Sequence, residues 1–433
     1  MATSNLLEAF RQTYQNFQLL PLVTDDKLDD FRIEYGTRVR LELEQVLEDC
    51  TDINNKVIFT GHRGCGKSTL LAYFSRQIRD NYFVVFFSIA DMIEMSDVNH
   101  INILFAIAVQ MMAKAEQDKI KIKESTKQKF YQWFATKTKT NLEEKKRELG
   151  LKFNLFSWIK TQLTTNYTTR NEIKQEFQRN ISELTDQLDL IATVIREQTD
   201  KEILVIIDDL DKLDLGVVRE IFSDHIKVLM RPKFRIIYTV PMAAMRDKNL
   251  RTIMQDESNN QVKLMPVFKF FSKQESHNSD ALPNEKNVNT FRKLVEKRID
   301  NNLIETEILE QIILKSGGVL REAIRIMNQC CSECLVLIRM EPEQTNIKIN
   351  KDILDTALRE LRNDMARPLS NNEYKLLTTI YHKFNPDDES DQDQFLDLLH
   401  NVYILEYIND NLWYDLHPIV IDLLNRKGYL LES

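Results

Sequence analysis

The stretch "VIFTGHRGCGKSTLL", Val57 to Leu71, decides the fold class of this 433-residue chain. It places three of the nine glycines of the chain within six residues, from Gly61 to Gly66. The residues "KVIFT" are β-branched and aromatic and predict a short buried strand. The residues "STLLAYFSRQI" continue with apolar side chains at helical spacing. A strand, a glycine-rich turn and a helix therefore follow one another here.

The spacing Gly61-x4-Gly66-Lys67-Ser68 is that of a phosphate-binding P-loop. Glycines let consecutive backbone N–H groups converge on an anion, and the helix N-terminus adds partial positive charge. Lys67 would reach the outer phosphates, and Ser68 would be a ligand of Mg²⁺. We predict that the whole loop binds nucleotide, and its residues are Gly61, His62, Arg63, Gly64, Cys65, Gly66, Lys67, Ser68 and Thr69.

A second motif, "EILVIIDDLDKL" (residues 202–213), is a run of aliphatic residues that ends in acids. Such a run predicts a buried strand with carboxylates at its end, where they can hold the water shell of a metal ion. We predict that Asp208 is the metal-side residue and that Asp209 orients or deprotonates the attacking water. For Asp211, a helix cap or a solvated loop acid is as plausible as a role at the metal.

With both motifs in place, the chain resembles the AAA+ ATPases and their signalling relatives, the STAND-type ATPases. The resemblance makes residues 61–69 Walker A and residues 203–209 Walker B. It also implies that Thr239, in "FRIIYTVP", is the sensor 1 residue and that Arg321, after the Gly317–Gly318 turn, is the sensor 2 residue. A hydroxyl at a strand end and a guanidinium at a helix start can each bind phosphate oxygens.

The resemblance extends to the order of domains. It implies an α/β P-loop NTPase core with a parallel sheet (residues 1–272), an α-helical lid (residues 285–367) and a C-terminal winged-helix domain (residues 368–433). Initiator-type ATPases that recognise replication origins share this layout. The winged helix is predicted from helices in "NNEYKLLTTIYHKF" and "DQFLDLLHN", a hairpin that turns at residues 409–411, and a helix after Pro418.

The charge of the C-terminal domain argues against duplex DNA as its ligand. Residues 368–433 hold four basic residues against twelve acidic ones, a net charge of −8, which is the net charge of the whole chain. A DNA-binding module is expected to offer basic residues to phosphates. We therefore expect this domain to contact a protein, and the chain is a candidate homo-oligomer.

The opposite charge lies on a segment that a compact core does not need. Residues 118–180 hold fifteen Lys or Arg against seven Asp or Glu, and residues 118–165 read as an insertion. Aromatic residues among the lysines either stack on single-stranded nucleic acid, grip a partner, or pack a helical arm against the core. They are Phe130, Tyr131, Trp133, Phe134, Phe153, Phe156 and Trp158.

Several residues outside the motifs carry weaker expectations. Leu20, Leu22 and Phe31 are candidates for an adenine pocket, and adenine itself is implied only by the resemblance. Arg170 and Arg179 are candidates to reach the phosphate of a neighbouring protomer.

The cysteine spacing and the hydrophobic pattern argue against a zinc site and a membrane segment. Cys330, Cys331 and Cys334 lie in a helical pattern without partner ligands and predict a buried helix face rather than a zinc site. Without a long apolar run or a signal peptide, we expect no membrane segment and a cytoplasmic location.

These observations predict an ATP- and Mg²⁺-binding AAA+/STAND-like switch with slow hydrolysis. The catalytic acid of AAA+ proteins is usually Glu, and the shorter Asp209 would reach its water poorly. Two alternatives stay open at this point. One is an initiator-like or loader-like ATPase that acts on nucleic acid through the basic insertion, and the other is a pseudo-ATPase scaffold.

Overall fold

The structure is a computed structural model that describes residues 2–49, 54–149, 154–386, 392–408 and 411–430. Its strands are β1 (Lys56–Gly61), β2 (Tyr82–Ser88), β3 (Glu202–Asp208), β4 (Arg235–Pro241), β5 (Val262–Met265), β6 (Ile404–Ile408) and β7 (Leu412–Leu416). Its helices are α1 (Ala2–Asn16), α2 (Asp25–Phe31), α3 (Thr37–Glu48), α4 (Lys67–Ile78), α5 (His100–Gln117), α6 (Glu124–Lys137), α7 (Leu142–Leu149), α8 (Leu155–Thr165), α9 (Tyr167–Arg179), α10 (Ile181–Thr199), α11 (Leu215–Arg219), α12 (Ile226–Leu229), α13 (Lys248–Glu257), α14 (Glu285–Glu296), α15 (Thr306–Lys315), α16 (Leu320–Met340), α17 (Lys351–Ala366), α18 (Asn371–Lys383), α19 (Gln392–His400) and α20 (Pro418–Arg426).

The chain forms two compact units. We call residues 39–60 and 71–264 the sheet unit, and residues 1–38, 61–70 and 265–433 the lid unit. These units group the residues differently from the three predicted domains, because the P-loop and the C-terminal residues both fall in the lid unit. The predicted domain boundaries remain a prediction.

The sheet unit contains a five-stranded parallel sheet in the order β2-β3-β4-β1-β5. Residues Ile203 to Ile207 of β3 are fully buried, as the aliphatic run predicted. Strands of a parallel sheet are covered on both faces, which is why they are continuously apolar. The pairing of Ser88 with Asp208 aligns the ends of β2 and β3. The predicted α/β P-loop NTPase fold is thereby confirmed.

The last strand of the sheet is shorter than the apolar pattern suggested. The sequence "KLMPVFKFF" predicts a strand to about Phe271, whereas β5 ends at Met265. Pro266 follows directly, and proline has no N–H group to donate to a neighbouring strand. The chain after Pro266 therefore leaves the sheet.

The basic insertion forms helices α6, α7 and α8, and its aromatic side chains point inward. Phe130, Phe134 and Phe156 are at most 1% exposed within the core of the sheet unit. Phe134 makes edge contacts with Phe105 and Phe156 at centroid distances of 5.7 and 5.2 Å. Tyr131, Trp133 and Trp158 are partly buried against the same core. Phe153 lies outside the described residues.

This packing favours one of the three interpretations of the insertion. Aromatic rings that fill a core cannot stack on the bases of a nucleic acid. The helical-arm interpretation is therefore the one that the structure supports. Some lysines of the arm are also engaged, since Lys137 pairs with Glu176 and Glu183 and Lys139 pairs with Glu172.

The expectation that Arg170 reaches a neighbouring protomer is wrong. Its side chain is only 3% exposed, because α9 turns it into the interior of the sheet unit. The guanidinium donates to Asp97 at 2.9 and 2.5 Å and to Glu94 at 3.0 Å. It also donates to the carbonyls of Leu163 and Thr164. Arg170 holds the start of α9 against the loop before α5.

The lid unit has the four predicted lid helices, α14 to α17. Cys330, Cys331 and Cys334 are fully buried on α16, as predicted. Burial raises the pKa of the Cys334 thiol to about 12, with a further contribution from Glu333, so this thiol stays protonated near neutral pH. Helix α1 packs against α16 in the same unit.

The C-terminal residues fold into the predicted order of elements: α18, α19, the antiparallel hairpin of β6 and β7, and α20. Residues 409–410 of the predicted hairpin turn lie outside the described part of the chain. The element order is that of a winged helix, but assignment to that family of domains remains a prediction.

These C-terminal elements pack on the lid helices within one compact unit. Tyr403 Oη donates to the carbonyl of Met365 at 3.0 Å, and Lys315 pairs with Asp422 at 2.8 Å. His417 caps α20 by accepting from the N–H group of Ile419.

Within the described ranges, none of the helices combines the length and the apolar content that crossing a lipid bilayer requires.

We predict that Arg170→Met lowers the free energy of unfolding by about 3 kcal/mol. The change leaves the partners of a buried guanidinium without a donor, and the partial exposure of Asp97 places the cost toward the low end of the range for buried pairs. Urea denaturation measures the loss. Arg179→Met, an exposed position on the same helix, is the control and should change stability by at most about 0.5 kcal/mol. Equal effects of the two changes would contradict the buried role of Arg170.

We predict a pH dependence of stability from His417. Burial lowers its pKa from 6.5 to about 4, because desolvation disfavours the imidazolium. Below about pH 6.5, this histidine binds a proton in the unfolded chain, whereas in the folded chain it stays neutral down to about pH 4. The free energy of unfolding should therefore fall by up to about 3 kcal/mol as the pH is lowered from 6.5 to 4.

The control variant is His417→Asn, whose side-chain oxygen still caps α20 but does not titrate. Its stability should fall less steeply between pH 6.5 and 4 in denaturation at several pH values. Identical slopes in the two proteins would contradict the assignment to His417.

Candidate functional site

The P-loop in the lid unit is shaped by glycines that accept close neighbours. At Gly66, with φ of +96°, an added Cβ would lie 2.6 Å from Tyr35 Oη. At Gly64, with φ of +83°, it would lie 2.6 Å from the Cβ of Arg321. Such distances exclude any side chain at either position. The glycines that free the N–H groups of the loop also let the loop pack on Tyr35 and on α16.

Lys67 begins α4 and folds back over its own loop. Its Nζ donates to the carbonyls of Gly61 and His62 at 2.9 and 2.8 Å, and the residue is 4% exposed. Contact with the outer phosphates of a nucleotide would require the ammonium to exchange these carbonyls for phosphate oxygens. The ammonium group therefore lies beside the loop and binds its carbonyls, and its contact with phosphate remains a prediction.

Other loop residues tie the P-loop to the rest of the lid unit. Thr69 accepts at Oγ1 from the N–H group of Leu22 at 3.1 Å. The ring of His62 accepts at Nε2 from the N–H group of Glu406 on β6 at 2.8 Å. Cys65 is buried, and Ser68 is half-buried one residue after Lys67. No sequence pattern pointed to Glu406 as a neighbour of the P-loop.

Arg321 lies against the P-loop, as its predicted role requires. Its backbone N–H, in the first turn of α16, donates to the carbonyl of Gly64 at 3.0 Å. Its exposed side chain lines a pocket of about 480 Å³ together with Arg63 and Arg325. Contact between Arg321 and a γ-phosphate remains a prediction.

The residues proposed for an adenine pocket occupy different environments. Leu20 is 61% exposed, whereas the backbone of Leu22 is held by Thr69. The ring of Phe31 lies 5.0 Å from the guanidinium carbon of Arg298. Tyr35, which belongs to neither sequence motif, donates from Oη to the carbonyl of Gly66 at 2.8 Å. The adenine pocket remains a prediction.

The sheet unit contributes a cluster of three buried carboxylates. Asp208 ends β3, and Asp209 and Asp211 follow in the tight turn after it. One carboxylate oxygen from each of the three lies within 4.8 Å of the others. Oxygen ligands at this density suit a divalent ion such as Mg²⁺. The second motif therefore brings Asp208, Asp209 and Asp211 together, and their roles at a metal ion and at the attacking water remain predictions.

The environment of Asp209 is more constrained than its sequence position implied. Its backbone has φ of +67°, a left-handed conformation that costs about 1–2 kcal/mol for a residue other than glycine. Its carboxylate accepts from Ser88 Oγ at 2.6 Å and pairs with Lys212 at 2.6 Å. Sequence reasoning missed Ser88, although its place at the end of an apolar strand was the available signal.

Thr239 is fully buried on β4, beside the acidic turn. Its hydroxyl donates to the carbonyl of Ile207 at 3.0 Å and accepts from the N–H group of Leu210 at 3.1 Å. These two bonds hold both sides of the turn that carries Asp208 and Asp209. Thr239 positions the acids in this conformation, and its contact with phosphate as sensor 1 remains a prediction.

Comparisons with known proteins agree with this architecture. The model of the KAP family P-loop domain matches residues 41–363. No curated protein is similar enough to the chain to count as a relative. The match to this family model confirms the predicted P-loop NTPase core.

Similar solved structures include the following three, each at most 14% identical to the chain. Cdc6p from Pyrobaculum aerophilum is 12% identical with a TM-score of 0.40, over 95% of this chain and 98% of that chain. The Aeropyrum pernix ORC1 protein in complex with DNA is 10% identical with a TM-score of 0.42, over 94% and 96% of the two chains. A RuvB variant from Thermotoga maritima is 14% identical with a TM-score of 0.38, over 96% and 100%.

We predict that Thr239→Val lowers the free energy of unfolding by about 1–3 kcal/mol. Valine keeps the shape but leaves the carbonyl of Ile207 and the N–H group of Leu210 buried without their partner. Chemical denaturation measures the loss, and Thr239→Ser, which keeps the hydroxyl, should retain most of the stability. A valine variant as stable as the serine variant would show that the hydroxyl does not hold the acidic turn.

Proposed function

Since the chain belongs to the KAP family of P-loop NTPases, we propose that it is an ATP-binding, Mg²⁺-dependent and slowly hydrolysing molecular switch. The switch couples its nucleotide state to assembly or to partner binding. A role in signalling or defence follows from the STAND-like resemblance of its motifs. The observation that carries the proposal is the hydrogen bond from the first turn of α16 to the P-loop, between Arg321 and Gly64.

That contact links the phosphate-binding loop to the lid without an intermediate residue. A phosphate bound by the loop N–H groups changes the electrostatic environment of the Gly64 carbonyl and of the N-terminus of α16. The guanidinium of Arg321 is on the same helical turn and is exposed to the pocket that Arg63 also lines. An anion bound at the loop would therefore favour one position of the lid helix, which is the behaviour of a switch.

We assign the roles residue by residue. Lys67 and the N–H groups of residues 61–69 bind phosphates, and Ser68 and Asp208 serve the metal ion. Bound Mg²⁺ would neutralise phosphate charge. Asp209 orients the water, and Arg321 senses the γ-phosphate. Thr239 supports Asp208 and Asp209 through its two backbone hydrogen bonds.

Slow hydrolysis is supported by the contacts of Asp209. Its side chain is one CH₂ group shorter than that of the usual glutamate, and Ser88 and Lys212 already bind its carboxylate. A carboxylate that already binds a hydroxyl and an ammonium must give up one of these contacts before it can bind the attacking water. The protein would then stay long in its ATP state, as a timed switch needs.

The partner that we propose for the C-terminal elements is a protein, because residues 368–433 carry a net charge of −8. A second copy of this chain is one candidate for that partner. The burial of Phe130, Phe134 and Phe156 argues against stacking of these three rings on bases, which was one support for the alternative of an initiator-like or loader-like ATPase that acts on nucleic acid through the basic insertion. Arg179, exposed at the end of α9, stays a candidate for contact with a neighbouring protomer. A pseudo-ATPase scaffold is the other alternative, and phosphate release decides it.

The test of ATP binding uses Lys67→Ala. Loss of the ammonium should weaken binding of ATP with Mg²⁺ at least tenfold by calorimetry, because charge-assisted bonds to phosphate are strong. Lys160→Ala removes an exposed lysine from the arm and should leave the affinity unchanged. A wild-type protein that binds ATP no better than Lys67→Ala would refute the proposed function.

A second measurement separates the switch from the scaffold. Wild type should release phosphate slowly from ATP, and Asp209→Asn should release it at least tenfold more slowly while it still binds ATP. Equal, background-level release by both proteins would favour the scaffold.

A further inference from the structure

One residue of the P-loop contacts the C-terminal hairpin through its side chain. The Nε2 atom of His62 accepts from the backbone N–H of Glu406 at 2.8 Å. His62 is 1% exposed and Glu406 is 2% exposed, so water does not compete for this bond. An acceptor at Nε2 places the ring proton on Nδ1.

The bond satisfies an N–H group that the hairpin itself does not use. Glu406 lies opposite Tyr414 in the antiparallel pair of β6 and β7. Residues in such a pair alternate between exchanging hydrogen bonds with each other and directing their N–H groups outward. Tyr414 directs its N–H outward to the carbonyl of Phe384 at 3.0 Å, and Glu406 directs its own to His62. The outer edge of β6 is therefore held by the P-loop.

The same histidine also holds the P-loop lysine. The backbone carbonyl of His62 accepts from Lys67 Nζ at 2.8 Å, while its ring accepts from β6. A change in the backbone of residue 62 that accompanies release of the lysine therefore moves the acceptor on which the hairpin depends. The two contacts belong to a single residue, separated only by its own Cα and Cβ atoms.

Two further contacts close a ring of elements in the lid unit. Tyr407 of β6 donates from Oη to the carbonyl of Gly317 at 2.8 Å, in the turn before α16. Arg321, in the first turn of α16, donates to the carbonyl of Gly64 in the P-loop. P-loop, hairpin and α16 thus contact one another in sequence, and displacement of one strains the contacts of the other two.

We propose that His62 is a positioning residue through which the C-terminal hairpin stabilises the P-loop conformation in which Lys67 binds its own loop. ATP competes with this conformation, because its phosphates take Lys67 away from the carbonyls of Gly61 and His62. The hairpin therefore lowers the affinity of the P-loop for ATP. By thermodynamic reciprocity, bound ATP weakens the hydrogen bond between His62 and Glu406. This inference rests on the proposed binding of ATP at the P-loop.

The first experiment needs no nucleotide. His62→Phe keeps a buried ring but removes the acceptor, whereas His62→Gln offers Oε1 near the former position of Nε2. Hydrogen exchange at the Glu406 amide should be at least tenfold faster in His62→Phe than in wild type, and within about threefold of wild type in His62→Gln. Unchanged exchange in His62→Phe would overturn the proposal.

The second experiment adds ATP and Mg²⁺. Wild type should show faster exchange at Glu406 with ATP than without it, and this comparison stands even if a variant does not fold. His62→Phe should bind ATP at least fivefold more tightly than His62→Gln, because both variants change the same loop residue and only glutamine keeps an acceptor for the Glu406 amide. An ATP affinity that is the same in the two variants would overturn the coupling.

The outcomes separate this inference from the function on which it rests. If wild type does not bind ATP, the proposed function fails, while exchange without nucleotide still reports on the contact of His62 with Glu406. If wild type binds ATP and Glu406 exchanges at the same rate with and without it, the switch can stand but His62 does not link it to the hairpin.

Discussion

The close approach of the P-loop backbone to its neighbours is the constraint on which the lid unit depends. Tyr35 and Arg321 lie where a Cβ on Gly66 or Gly64 would be, at 2.6 Å. The glycines therefore satisfy two requirements at once, since they free N–H groups to converge and they admit a tyrosine and a helix start into contact with the loop. Because α16 touches the loop directly, the P-loop and the lid share hydrogen bonds, and these contacts support the switch that we propose.

The acidic turn of the sheet unit shows the cost of such a site. Three carboxylates are buried within 4.8 Å of one another, and Asp209 has a left-handed backbone. Like charges this close repel, and a residue other than glycine is strained at this φ. Thr239 holds the turn from β4, and Ser88 and Lys212 bind the strained acid. Surroundings that over-determine a strained turn are characteristic of functional sites, because the chain would otherwise relax.

Charge along the chain gave different information in the two units. The basic arm looked like a binding surface from its composition, yet Phe130, Phe134 and Phe156 fill the core and Lys137 has carboxylate partners. In the lid unit, Lys315 pairs with Asp422 and Tyr403 bonds to Met365, so the C-terminal elements are anchored to the lid helices while their net charge stays acidic. The net charge of a segment therefore argues against a class of partner more safely than it argues for one, because it does not show which of the individual charges are already paired within the protein.

The sequence by itself determined the P-loop, the buried β3 strand with its acids, the lid helices and the buried cysteine face. Each of these is a local pattern, in which spacing along the chain sets the chemistry. Resemblance to a known family, rather than a local pattern, singled out Thr239, which the structure places against the acidic turn. The prediction for Arg170 was wrong, because helical periodicity does not show that Asp97, which is distant in the sequence, packs against the face of α9 that carries Arg170. Only the tertiary structure decided that Tyr35 donates a hydrogen bond to Gly66 and that His62 accepts one from Glu406, 344 residues away. Such contacts form between backbone groups and single side chains brought together by packing, and no spacing in the chain encodes them.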